Sequence, residues 1–340
     1  MLEPRSDAEE PPDPPLDDRF RVVRHRVGAA DVVALESGTA RLRALDYRHG
    51  GGCCVDEAVA GLPAALALLE LPVADRIAGP LRTAVADLHN LAGWACFDTG
   101  RTGAALRHFQ TASTVASAGG DQALVSNIHY RLGRIHLHHD APGSALAEFE
   151  AAERAARSGE SALARAVVGA NQAWARAMMG SAHDAVALMA EAGDHRARAQ
   201  DEPVPGWAAF FTDVDLSAIG GMVHAELALT GDPGWADAAV SLLTEAVDGF
   251  EADMARSRTF SLIQLAVCHL LDGQLDSGTR LGEDAVGQCQ ALTSARTTVR
   301  LRPLQDAARR QVAHQGARGL VERIHRFRPA DAAAGNPSDR

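Results

Sequence analysis

The stretch GRIHLHHDAPGSALAEFEAAE (residues 133–153) decides the fold, because its spacing of small and large apolar residues recurs 40 residues before it and 40 after it. Gly93, Gly133 and Ala173 form one column, and Ala105, Ala145 and Ala185 form the next. Phe109, Phe149 and Met189 make a third, and Ala112, Ala152 and Ala192 a fourth. Small residues let two helices approach closely, and the large residue four positions after the first alanine fills the facing groove. Between them, Asp140, Ala141, Pro142 and Gly143 supply a turn with proline at the start of the next helix. A helix–turn–helix unit of this kind cannot bury its own apolar face and must stack on its neighbours. The expected fold is all-α, a solenoid of helical hairpins with a period of about 40 residues.

Working outward, the spacing predicts hairpins pairing 79–98 with 103–117, 121–139 with 142–157, and 161–179 with 182–192. The period then breaks. Residues 193–206 contain Gly193, Asp194, Pro203, Pro205 and Gly206 and read as a loop. A fourth unit resumes near Trp207, with Gly221 as its small residue and Leu243 and Ala246 closing it. A fifth is marked by Leu265, Ala266, Gly273, Gly278, Gly282 and Ala285. The Arg-rich segment 292–326, interrupted by Pro303 near its start, is expected to cap the stack with a polar outer face. Upstream, a helix over 30–47 ends at Gly50, Gly51 and Gly52, and a second over 55–71 is interrupted at Pro63. The domain reading is therefore an acidic, Pro-rich disordered tail over 1–20, a repeat domain over 21–328 and a disordered tail over 329–340.

A formal net charge of −11 and a pI near 5.7 argue against direct nucleic-acid binding, which needs a basic face. No run of about 18 apolar residues is present, so no membrane span is expected. The N-terminus lacks an apolar signal core. Five cysteines, an odd number with no C-x-x-C pair, fit a reduced cytoplasmic protein, with Cys96 and Cys268 filling core.

The columns match the tetratricopeptide pattern of small residue, turn glycine, alanine, aromatic, alanine. Further segments extend the likeness: LDYRHGGG (45–52), LAGWACFDTG (91–100), HYRLGRIHLHHDAPGSALAEFEAAE (129–153) and ANQAWARAMMG (170–180). GWAAFFTDVDLSAIGGMVHAELA (206–228) and RSRTFSLIQLAVCHLLDGQLDSG (256–278) complete the set. In this order, over about residues 28–327, they closely resemble the C-terminal sensor half of actinobacterial XRE-type helix-turn-helix regulators. The resemblance implies a right-handed tetratricopeptide-like solenoid with a regulatory, ligand-sensing role. Those regulators begin with a DNA-binding helical domain, whereas here only the acidic tail precedes the first sensor helix. The expectation is therefore of a chain that does not contact an operator itself.

In such a stack the first helix of each repeat lines the concave face, and the position after each small residue points into the groove. That position holds Trp94, Arg134 and Trp174; one turn earlier stand Asn90, Tyr130 and Ala170, with Asn171 adjacent. Two aromatic walls and a central guanidinium suit a planar or carboxylate-bearing ligand or a peptide. The alternative is that both tryptophans pack between helices while Arg134 caps a surface. His129, His136, His138 and His139 crowd the second repeat, but without converging ligands no metal is expected. The segment holding Trp207, Phe210 and Phe211 reads as a lid, as a dimer contact or as core of the fourth repeat. Arg256 and Arg258 would bind an anion or pair with Glu251 and Asp253. Asp213 and Asp215 stand two apart and diverge on a helix. No phosphate loop, dinucleotide fingerprint or nucleophile elbow occurs, so no catalytic residue and no cofactor is assigned.

The leading functional expectation is a cytoplasmic regulatory scaffold or sensor. It would bind a peptide, small metabolite or partner regulator protein in its groove and act on transcription through another protein, as a monomer or a homodimer. Two alternatives stand beside it: an enzyme, of specialised metabolism for instance, that has reused the sensor pocket as an active site, and a purely structural adaptor.

Overall fold

The computed structural model describes residues 26–330, so the tail expected over 1–20, and all but two residues of that expected over 329–340, lie outside the described residues. The chain there folds into helices α1 Ala29–His49, α2 Val55–Leu69, α3 Asp75–Asp98, α4 Thr102–Gly119 and α5 Gln122–His138. Next come α6 Pro142–Ser158, α7 Ala162–Met178, α8 Ala182–Arg198, α9 Asp213–Thr230 and α10 Ala236–Gly249. The last four are α11 Ala255–Leu271, α12 Leu275–Cys289, α13 Arg296–Arg309 and α14 Gln315–Arg326. Among the described residues there is no strand, only an isolated bridge between Val27 and Val73. Successive helices pair as α3 with α4, α5 with α6, α7 with α8, α9 with α10 and α11 with α12, and each pair packs on the next. The fold is all-helical and built from consecutive hairpins.

The turns follow a rule that side chains alone do not reveal. Gly100, Gly120, Asp140, Glu160 and Gly180 all have positive φ, between 52° and 81°, so a left-handed residue ends each of five successive helices. The residue after each donates its N–H five positions back: Arg101 to Cys96, Asp121 to Ala116, Ala141 to His136, Ser161 to Ala156 and Ser181 to Arg176. Carbonyls left open at each helix end are thereby satisfied. Asp140 and Glu160 adopt this conformation with a side chain, at a local cost of about 1 kcal/mol each.

Within the hairpins, glycines mark where side chains of the second helix enter the first. A Cβ on Gly93 would stand 3.0 Å from the ring of Phe109, and one on Gly221 2.6 Å from Leu243 Cγ. At Gly133 the same added atom would fall far inside contact distance of Phe149. Phe109 and Phe149 are fully buried as a result.

The array also curls until its ends meet. Thr293 donates its N–H to His49 O (2.8 Å) and accepts from Gly52 N–H (3.0 Å), while Ala295 N–H reaches Asp98 O (2.8 Å). Arg256 of α11 forks onto Asp46 of α1 at 2.7 and 2.8 Å, across 210 residues. Asp98 accepts from Gly51 N–H (2.8 Å) and Arg296 Nη1 (3.2 Å) and lies 3.4 Å from Arg256 Nη1. Burial would raise Asp98, but Arg256, Arg296 and the Gly51 N–H together hold it below its ordinary value.

Several local expectations are corrected. α2 runs unbroken through Pro63 and α13 through Pro303. α8 continues through Gly193 to Arg198, because Ala192 and Ala199 are buried on either side and keep its last turns packed. α9 starts at Asp213 instead of near Trp207. The Arg-rich C-terminal segment is not solely a polar outer cap, since Arg296 is buried and Arg300 half-buried, both against the inner face. Arg256 pairs with Asp46 and Asp98, not with Glu251 or Asp253.

Candidate functional site

The curl surrounds a central cavity whose space, counted together with the open solvent at its mouth, is about 860 Å³. Trp94 on α3, Tyr130 and Arg134 on α5, and Trp174 on α7 all line it. The column after each small residue therefore does face a common space. Asn90 and Asn171 do not line it. Asn90 is fully buried behind, donating to Asn127 Oδ1 (3.0 Å) and offering its backbone oxygen to Arg131 Nη1 (3.0 Å). Asn171 accepts from Arg134 Nη1 (3.3 Å) and donates to Val167 O (2.8 Å), so it orients the guanidinium from the rear.

Arg134 lies over Trp174, Cζ 4.8 Å from the ring centre, while Trp94 is covered by Arg131 at 5.3 Å and Arg296 at 5.0 Å. Arg300 shares the Trp174 ring at 5.2 Å and the Phe260 ring at 5.6 Å. Phe210 stacks on Tyr130, centroids 5.9 Å apart and planes within 13°, and Phe211 is buried, so both phenylalanines of this segment turn inward, while Trp207 packs partly buried against the core.

Arg131, Arg296 and Arg300 are the lining arginines that sequence reasoning missed, as it missed the aromatics Tyr47, Phe250 and Phe260. Arg131 and Arg134 are spaced i,i+3, and Arg296 and Arg300 i,i+4, so each pair shares a helix face. Those spacings were the available signal. Nothing local tells an inward arginine pair from an outward one.

Charge is unevenly matched around this space. Arg43 pairs with Asp87 (2.5 Å), and Arg256 with Asp46. Arg296 shares Asp98 with Arg256. Arg131 and Arg134 contact only neutral oxygens among their hydrogen bonds, and Arg300 makes no hydrogen bond or ion pair with any described residue. Burial pushes Arg296 down to about 10 and Arg300 to about 9, with neighbouring guanidiniums adding to both effects. Both remain cationic at neutral pH. Burial raises the Asp215 carboxyl to about 7 against the opposing hydrogen bonds from Thr212 and the charge of Arg134. Glu226 is raised by burial too, and the approach of Trp174, whose Nε1 forms no hydrogen bond of ordinary geometry, offsets this only in part.

The rings of His138 and His139 meet edge-on, 5.7 Å apart, but the four histidines do not converge on one point. His129 Nδ1 meets Glu148 Oε2 at 2.8 Å, and His138 packs edge-on against Phe97 and is pushed down to about 3 by burial and by Arg296 and Arg300. Among the described residues no three of His, Cys, Asp or Glu are placed to hold a metal ion, and no helix is long and apolar enough to cross a membrane. No protein-family model matches the chain, and no curated protein matches it.

Proposed function

We propose that the chain is a cytoplasmic regulatory sensor with a right-handed, tetratricopeptide-like array, similar to the sensor half of actinobacterial XRE-type regulators. It takes a small metabolite or peptide into its central cavity and acts on transcription through a partner protein. The observation that carries this reading is the cavity itself: aromatic walls from Trp94, Tyr130 and Trp174, with guanidiniums that find no acid to pair with. Such a space is costly to leave empty and suited to hold a ligand. Its walls come from α3, α5, α7 and α9 and, from the far end of the array, α11 and α13. A ligand bridging them favours the curled form over an opened one. A nearly complete swing requires a preference of about 5.5 kcal/mol between the two forms. The acidic overall charge favours action through another protein over direct contact with DNA.

Native mass spectrometry of the protein purified from its own host, before and after mild denaturation, tests the proposal. A retained small molecule or peptide, lost from Trp94→Ala and Arg134→Ala variants, together with altered transcription on deletion, is the expected result. An empty protein whose deletion leaves transcription unchanged overturns it.

One observation favours a second reading. Asp215 lines the cavity with a carboxyl near 7, the range in which a group both accepts and donates a proton at neutral pH. An enzyme that reuses the pocket would lose turnover, and keep ligand binding, in Asp215→Asn.

A further inference from the structure

A second cavity, of about 680 Å³ with its mouth, lies against the first. Arg134, Trp174, Phe260, Arg296 and Arg300 line both, so they form the partition between them. This wall is rich in hydrogen-bond donors that have found no acceptor. Arg296 Nε and Arg300 Nε are sealed from solvent without partners, Trp174 Nε1 approaches only the Glu226 carboxyl and in poor geometry, and Gln264 Nε2 on the side of the second cavity has no partner. Buried donors of this kind are rare, because each costs its full desolvation. The two guanidinium Nε atoms on the partition, with Trp174 Nε1 poorly satisfied beside them and Gln264 Nε2 next to it, point to a group that only accepts.

We infer that this wall is the seat of a dianionic oxyanion, of the phosphate-monoester type, carried on a flat apolar body that occupies the larger cavity. The inference rests on the proposed reading of that cavity as a ligand site and names what it takes. Three guanidiniums, from α5 and α13, converge through the shared rings of Trp174 and Phe260. A carboxylate offers two oxygens, whereas a phosphate monoester offers three terminal ones, one for each guanidinium, and Arg forks match both acceptors. The charge argument selects the dianion. Arg134 and Arg300 form no contact ion pair, the nearby Asp215 and Glu226 being drawn toward their neutral forms by burial, and Arg296 shares one acid, so a single negative charge leaves the wall unbalanced. Asp215 and Glu226 flank the wall on either side, and burial draws both toward the neutral form, which lessens their opposition to an anion. Beyond the wall the larger cavity continues into Ile219, Met222, Phe250 and Met254, with Phe210 stacked on Tyr130. That surface accepts a flat or apolar body, not a second charge.

Titration of the dialysed full chain with phenyl phosphate, benzoate and phenol, followed by tryptophan fluorescence at constant ionic strength, tests the inference. Phenyl phosphate should bind at least tenfold more tightly than benzoate, with phenol weakest. Arg300→Gln should weaken phenyl phosphate at least tenfold, and Arg300→Lys, which can regain its proton against the anion, should restore part of that loss, a rescue that a purely packing role would not produce. Arg134→Gln, further along the wall, serves as the second variant, and the thermal midpoint without ligand shows that each variant folds. Equal affinity for benzoate and phenyl phosphate, or affinity unmoved in both Gln variants, overturns the inference. The outcomes also separate the two readings. Retention of a neutral ligand from the host with indifference to phenyl phosphate would sink the dianion site and leave the sensor standing. Tight phenyl phosphate binding with transcription unchanged on deletion would do the reverse.

Discussion

The fork between Arg256 and Asp46 closes the array, and Arg256→Met should open it. Both partners are buried, Arg256 at 7% exposure and Asp46 at 0%, and both Nη atoms are engaged. Methionine keeps most of the stem and removes the charge. Asp98 retains Arg296 and the Gly51 N–H, but Asp46 is left without a cation. Removing one partner of a buried ion pair costs about 3–5 kcal/mol, mostly as the penalty of the stranded charge. By the same measure the ends should separate roughly a hundredfold to several thousandfold more often. Amide hydrogen exchange reads this directly at Thr293, Gly52 and Ala295, whose N–H groups bond across the closure. Their exchange should accelerate by that factor, while amides inside α5 to α8 change little. Adding Asp46→Asn should recover about 1–2 kcal/mol, because a buried amide without a partner costs less than a buried carboxylate. The reasoning fails if Arg256→Met loses less than about 1 kcal/mol in urea titration and leaves the three amides unchanged.

Three further outcomes follow from the same contacts. Gly133→Ala drives a methyl into Phe149 and should cost about 2–3 kcal/mol; adding Phe149→Met, as the chain has at Ala173 and Met189, should recover over half, and simple additivity would refute the packing account. Asp215 has a folded value of about 7, above its unfolded value of about 3.9, so the folded state keeps a proton that the unfolded state has lost between them. The carboxyl therefore lowers stability as pH rises from about 4 to 7 and no further above that, by at most ~4 kcal/mol. Asp215→Asn, which can still accept from Thr212, should stabilise at pH 8 and be near neutral at pH 4.5; a difference that does not vary with pH would refute the assignment. Cys53 is exposed whereas Cys54, Cys96, Cys268 and Cys289 are buried, so a thiol reagent should titrate one cysteine in the native protein and five in denaturant.

What the sequence displayed was whatever repeats. Gly93 with Phe109 and Gly133 with Phe149 are columns of a period, and each pair is a contact in the folded chain. The inward column of Trp94, Arg134 and Trp174 was legible for the same reason, since a fixed spacing gives the same face to successive helices. What stayed hidden does not repeat. Asp46 and Arg256 meet once, across 210 residues, and no local pattern announces an ion pair of that separation. Arg296 and Arg300 read as solvated because arginines usually are, and only the curl turns their face inward. Pro63 and Pro303 read as breaks because each forfeits a backbone bond. The helices continue because Leu62 and Ala65 in one, and Leu301 and Leu304 in the other, are buried on both sides of the proline.

The choice of cation sharpens the case for an occupied cavity. All 33 basic residues of the chain are arginine; there is no lysine. A lysine without a partner at position 300 would escape the cost of burial by losing its proton, as buried lysines do. A guanidinium has no such escape. Even pushed down to about 9, Arg300 is almost wholly charged at pH 7, and Arg296, at about 10, more so. Repulsion among Arg134, Arg296 and Arg300 is therefore a standing feature of the empty protein at every physiological pH, offset in part by the faces of Trp174 and Phe260. The chain as a whole carries a net charge of −11, yet guanidiniums without an ion pair gather around one space. The two are reconciled if that space spends its working life around an anion. Ligand binding then relieves repulsion on both sides of the closure at once, because Arg296 belongs to the wall and, through Asp98, to the contact that joins the ends of the array.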